Sequence, residues 1–96
     1  MANSKNGTRA GWGGSYVSTL DGSVTLTASD SGKIFLVNAA TVTLPSAADA
    51  GAGWHAKFIH HTGSSTVNGV TINAAGECCD VACDGSAFYN GSSVTA

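Results

Sequence analysis

Three cysteines and two histidines fall where they could hold a metal: Cys78, Cys79 and Cys83, with His60 and His61 upstream. A zinc site draws two ligands from a C-x2–4-C spacing, and Cys79 and Cys83 satisfy it nominally. The pattern around them argues for packing. With a strand's period of two, Cys79, Val81 and Cys83 share one face, and Cys78, Asp80, Ala82 and Asp84 share the other. A Cys that alternates with Val is a small core hydrophobe. Core packing is therefore preferred over a metal, an intersubunit thiol contact or a late disulfide. Three cysteines also make an odd count, which does not form a disulfide framework. No cofactor is expected.

His55 and His61 share a strand face with Lys57 and Ile59 between them, while His60 faces the other way. Ser64, His61 and Asp49 assemble a nucleophile, base and orienting acid only on paper. No G-x-S-x-G elbow and no carboxylate pair supports them, so no enzyme is expected. Histidines at a strand end or an oligomer interface are the simpler reading, with a pH-sensitive assembly as a consequence. Gly11-Trp12-Gly13-Gly14 has no Lys-Ser/Thr after it and no strand before it, so it is not a phosphate loop. Trp12, Tyr16, Trp54, Phe88 and Tyr89 could stack on sugars or bases. Trp54 and Phe88 are better explained as core, and Trp12 and Tyr16 as anchors inserted into a neighbour.

The elements that would position these residues are short strands. Ser23 to Thr27 alternates apolar and hydroxyl residues, and Ala28 to Gly32 is a turn. Lys33 to Val37 is apolar on both faces, Ile34/Leu36 and Phe35/Val37. Thr41 to Leu44 alternates again until Pro45, which has no N–H to give a ladder. Ala47 to Gly53 is a small-residue turn or loop. Trp54 to His60 is a longer strand with Trp54, Ala56 and Phe58 on one face. A further strand starts at Val67 or Val70 and ends at Asn73, with Asn68-Gly69 as a turn or bulge signal. Cys78 to Cys83 and Ser86 to Tyr89 form a hairpin around a two-residue Asp84-Gly85 turn. There is no strict internal repeat and no helical stripe of useful length. Turns every ten residues or so indicate a β-sandwich or barrel.

Composition limits how such a body can be stabilised. Of 96 residues only 18 are Leu, Ile, Val or Phe, whereas 15 are Ala and 22 are Ser or Thr. That is a thin core for one domain. Only 10% of the residues are charged, so burial against copies of itself is the expected remedy. Residues 1–16 lack any period and read as an extended arm before a single β-domain, residues 17–96. The first ten residues carry Lys5 and Arg9 and no acid, and the rest carries Lys33 and Lys57 against six acids. Two cations are too few for nucleic acid, but they bias the arm toward an acidic protein surface. No apolar run approaches the ~20 residues of a membrane span, and no apolar stretch follows the first cations as in a secretory leader. Neither nucleic acid nor membrane is an expected partner, and synthesis in a cytosol is expected.

The order of motifs is informative as a whole. Leu26-Thr27-Ala28-Ser29-Asp30-Ser31-Gly32-Lys33-Ile34-Phe35 precedes Val42-Thr43-Leu44-Pro45. Ala50-Gly51-Ala52-Gly53-Trp54 then leads to Phe58-Ile59. Val70-Thr71-Ile72-Asn73 follows, and Cys83-Asp84-Gly85-Ser86-Ala87-Phe88-Tyr89 closes the series. Over about residues 20–90 the chain resembles a small β-module of tailed bacteriophages, found in capsid decoration (cement) proteins and in head or tail fibres. The segment Glu77-Cys78-Cys79-Asp80 departs from that pattern. The resemblance implies a non-enzymatic, trimeric virion protein made in the host cytoplasm. The expected fold is all-β, a small antiparallel sandwich or barrel-like module.

A single module without a coiled-coil or β-helical stalk, preceded by a basic aromatic arm, favours decoration of the outer capsid surface. The partners are then the chain itself and the major capsid protein, and the contact residues are Lys5, Arg9, Trp12 and Tyr16. A fibre head that binds a host receptor or glycan is the alternative. Core or trimer packing is expected of Leu26, Ile34, Phe35, Leu36, Val42, Leu44, Trp54, Phe58, Val70, Ile72, Cys79, Val81, Cys83 and Phe88.

Overall fold

A computed structural model describes residues 17–94. The strands are β1 (Val17–Thr25), β2 (Ile34–Thr43), β3 (Ala52–Thr62), β4 (Ser65–Val67), β5 (Val70–Ile72), β6 (Glu77–Asp84) and β7 (Phe88–Val94), with one helical turn, α1 (Ala47–Ala50). The chain is all-β in character, and the seven strands among the described residues form one sheet.

The pairing corrects the antiparallel expectation, because the sheet is mixed. β1 pairs in parallel with β2, and β2 in parallel with both β3 and β4. Only β4–β5, β3–β6 and β6–β7 are antiparallel. Val17 sits beside Ile34, and Ile34 beside Lys57. The first part of the molecule is therefore a stack of coils, each rung laid on the next, with 17 residues in one coil and 23 in the following one.

Coils this short require bent strands. Parallel strands ordinarily need a crossover of a dozen or more residues, but only residues 26–33 lie between β1 and β2, and a 3-10 turn at Ala28–Asp30 shortens their reach. They could not run back along a straight nine-residue strand of about 30 Å. The strands fold over at one corner instead. In β1 the register slips at Gly22 (φ 66°), and in β2 the bend falls at Ala39 (φ 47°). In the third rung the corner is the turn between β3 and β4, where Gly63 has φ 70°. A Cβ on Gly63 would stand 2.8 Å from the Ala39 Cβ, so the corners stack closely enough to need glycine there. Bending also takes the Ala40 N–H off the ladder. The buried Ser65 hydroxyl accepts it at 2.9 Å, which keeps the corner satisfied.

The interior is built from columns of side chains along these rungs. Phe35 stacks on Phe58, ring centroids 5.3 Å apart, and Val24, Val42 and Val67 follow one another in register. The hairpins close the stack. Asn68 and Gly69, both at positive φ, turn β4 into β5. β6 lines the other side of β3, and Phe88 of β7 meets Trp54 edge-on at 5.5 Å. The Asn90 amide reaches back to the Val67 carbonyl at 3.1 Å, drawing β7 toward β4 and curling the sheet into a nearly closed, barrel-like form. The Trp54 indole N–H donates to the Thr27 carbonyl at 3.2 Å, so its one polar atom is satisfied although the residue is buried.

Leu26, Ile34, Phe35, Val42, Leu44, Trp54, Phe58, Ile72, Cys79, Val81 and Cys83 are buried, and Leu36, Val70 and Phe88 are half-buried. Val37, Ala40 and Val67 complete the core. Asp84-Gly85 does sit in a hairpin, but β6 runs to Asp84 and β7 begins at Phe88, so the loop is Gly85 to Ala87, three residues rather than two. Asp84 organises it, its Oδ1 accepting from the backbone N–H of Ser86 (2.8 Å) and Ala87 (2.9 Å).

Candidate interaction surfaces

Strand register fixes what the outside of the sheet presents. One row runs Val17, Ile34, Lys57, Asp80, Gly91, and the next Thr19, Leu36, Ile59, Cys78, Ser93. A third runs His55, Ala82, Tyr89. Ile34 is buried yet lies outside the main core cluster. Leu36, Ile59 and Cys78 are half-buried, and Val17 is exposed. These five make an apolar stripe across β1, β2, β3 and β6.

The stripe runs up to the outer edge of β1, which has no strand partner among the described residues. In nine residues β1 carries one charge, Asp21. Its inward Leu20 and Val24 are half-buried, whereas their rung neighbours Val37 and Val42 are fully buried. The core therefore thins toward this edge. An exposed edge with a single charge and apolar side chains behind it is a surface that proteins usually cover or pair.

No protein family model, curated protein or solved structure matches this chain. The surfaces are therefore read from their own chemistry.

The proposed arm contacts Lys5, Arg9, Trp12 and Tyr16 lie outside the described residues. The histidines are not brought together. His55 Nδ1 donates to the Gly53 carbonyl (3.0 Å), and His60 Nε2 to the Gly63 carbonyl (3.0 Å). His61 Nδ1 donates to Asn38 Oδ1 (2.7 Å), which also accepts the Thr62 hydroxyl (2.9 Å). Asp49 is on α1, where its backbone N–H donates to the Ser46 hydroxyl. Among the described residues no three His, Cys, Asp or Glu side chains gather as ion ligands, and no helix is long and apolar enough to cross a membrane.

Cys79, Val81 and Cys83 face the core, and Cys78, Asp80, Ala82 and Asp84 face outward. Burial pushes the Cys79 thiol up to about 11, with Asp80 adding to the shift, so it remains a neutral packing group. Cys83 Sγ accepts the Gly85 N–H at 3.3 Å and approaches the Ala47 carbonyl at 3.7 Å.

Two carboxylates build the outer loops. Glu77 is buried, and its Oε1 accepts the backbone N–H of Asn73 (2.8 Å) and Ala74 (3.1 Å). The Asn73 hydrogen bond is the main cause holding its carboxyl below the ordinary range, although burial opposes it. Asp84 is held low by the N–H groups of Ser86 and Ala87 and by the Tyr89 hydroxyl. Tyr89 is 62% exposed, and its hydroxyl donates to Asp84 Oδ2 at 3.1 Å, which raises the phenol's own pKa. The sequence marks Asp84 as part of the hairpin turn, but it assigns neither carboxylate its backbone partners. Each had one local signal: Glu77 follows the Ala74-Ala75-Gly76 turn, and Asp84 precedes a Gly-Ser pair.

Proposed function

We propose that this chain is a structural virion protein, a homotrimeric decoration module that binds the outer surface of a phage capsid and stabilises the shell. The observation that carries the reading is the apolar stripe ending at the low-charge edge of β1. It is a surface suited to being covered by another protein, in a chain with few large apolar residues of its own. The resemblance over residues 20–90 supplies the virion context. A trimer that bridges several capsid subunits binds the assembled shell and not the separated subunits, so mass action favours the shell. Lys5, Arg9, Trp12 and Tyr16 are the proposed capsid contacts, and the proposed role has no chemical step.

The test is a reconstitution with undecorated capsids. The full chain is expected to bind in many copies per capsid and to raise the temperature at which the shell opens. A variant without residues 1–16 is expected to stay trimeric and lose that binding. Normal decoration by the shortened chain would remove the arm from the proposal, and a few copies at a single vertex would overturn decoration itself.

A second reading, a fibre head that binds a host receptor or glycan, is favoured by one observation. Trp54 is buried, but Tyr89 stands out on the opposite side of the sheet beside Asp84.

A further inference from the structure

We propose that the trough between Tyr89 and His55, floored by Ala82 and continued by the recess beside Lys57 and Asp80, is a saccharide-binding site. The proposal deepens the fibre-head reading and rests on it.

Tyr89, Ala82 and His55 are direct cross-strand neighbours on β7, β6 and β3, and all three are exposed. Strands lie about 4.8 Å apart, so Tyr89 and His55 stand about 10 Å from each other with only a methyl group between them. A sugar ring offers one weakly polar C–H face and a rim of hydroxyls. An aromatic ring beside a flat floor meets the face, and charged or imidazole groups at the margin meet the rim.

The aromatic is also held ready. Asp84 accepts the Tyr89 hydroxyl at 3.1 Å, and Asp84 is itself fixed by two backbone N–H groups. A ring fixed before the ligand arrives loses little freedom on binding. The margin supplies both kinds of hydrogen-bonding group. Asp80, whose side chain is 66% exposed, is an acceptor beside the Lys57 ammonium at 3.7 Å. His55 commits Nδ1 to the Gly53 carbonyl, which leaves Nε2 as its acceptor. The adjoining recess, lined by His55, Lys57 and Asp80 and on its far side by Gly32 and Lys33, has a volume of about 310 Å³ and meets the trough at His55, with neither Ala82 nor Tyr89 in its lining.

The experiment is saturation-transfer and amide-shift NMR on the full chain. The probes are methyl β-D-glucopyranoside, methyl β-D-galactopyranoside, N-acetylglucosamine and glucuronic acid. At least one is expected to receive saturation and to shift the amides of Ala82 and Tyr89. Tyr89→Ala is expected to weaken that binding about tenfold, the equivalent of one good aromatic contact. Tyr89→Phe keeps the ring and is expected to stay within about threefold. The outward position of Tyr89 lets both variants fold, which their amide spectra would verify. A probe bound equally well by Tyr89→Ala overturns the site and leaves the fibre-head reading standing. If none of the four binds, the site is overturned, and adsorption of the chain to whole host-surface polysaccharide then decides the fibre-head reading separately.

Discussion

The molecule has two halves that solve the same problem differently. From β1 to β4, strands stack in parallel as bent rungs. From β5 to β7, strands return as hairpins. The parallel half depends on distant residues meeting at one corner, as Gly63 meets Ala39 and Ser65 meets Ala40. The antiparallel half depends on turns that residues a few positions apart set by themselves, as Asn68-Gly69 and the Asp84 loop do. The same kind of substitution should therefore have unequal effects in the two halves.

Core truncation should show the largest difference. Phe58 is fully buried and stacked on Phe35, so Phe58→Ala is expected to destabilise by about 3–5 kcal/mol. That is a large share of the roughly 5–15 kcal/mol that holds a domain. Phe88 meets Trp54 from the hairpin half and is only half-buried. Phe88→Ala is expected to lose about 2 kcal/mol, since less surface leaves the core. Urea unfolding of both variants measures the gap. Equal losses would mean that the hairpins anchor the core as firmly as the rungs.

Glycine replacement sharpens the contrast. Gly63 and Gly69 both have positive φ, 70° and 88°. Around Gly69 a Cβ meets nothing within 4 Å, whereas at Gly63 it meets Ala39 at 2.8 Å. Gly69→Ala therefore carries backbone strain alone, about 1–2 kcal/mol. Gly63→Ala adds overpacking at the corner and is expected to lose about 2–4 kcal/mol. Gly63→Ala combined with Ala39→Gly removes the contact and should recover part of that loss. If it recovers nothing, the corners are not in contact. Ser65→Ala tests the corner from its polar side. It leaves the Ala40 N–H buried without a partner and is expected to cost about 1–3 kcal/mol.

The sequence reveals the antiparallel half more readily because its determinants are local. Period two sorted Cys79, Val81 and Cys83 from Cys78, Asp80 and Asp84 without any knowledge of the fold, and Asn68-Gly69 marked its own turn. The parallel half gives no such signal. Its coils differ in length, so Ser18, Phe35 and Phe58 form a column with no repeating motif behind it. Residues 33–37 and 41–44 read as two strands because the bend at Ala39 interrupts the pattern, although they are one strand. Tyr89 and Trp54 are both strand aromatics. Which of them is buried depends on the partner strand, and the surface proposed for saccharide was therefore open to sequence only as one aromatic among five.

Acid should separate the halves more gently. In the hairpin half Glu77 and Asp84 are acceptors for backbone N–H groups, and their folded carboxyls hold a proton less readily than the ordinary values of 4.5 and 3.8. A group depressed on folding stabilises fully above its unfolded pKa, and that contribution disappears as the pH falls through the folded value. The loops at residues 73–77 and 84–88 should therefore lose hydrogen-exchange protection as the pH drops below about 4, before the stacked rungs do. The parallel half has one comparable carboxylate, Asp30 in the first crossover. Burial opposes its ionisation, but the bonds from Lys33 at 2.8 Å and from the Thr27 backbone outweigh it. Asp30 serves a turn outside the rungs, and the Ser65–Ala40 bond that holds the corner involves no titrating group. Glu77→Gln keeps an acceptor oxygen and removes the titration, so its 73–77 loop should stay protected through the same pH range. If that loop opens in Glu77→Gln at the wild-type pH, the acid sensitivity arises elsewhere, and the two halves do not differ in the way their hydrogen bonds imply.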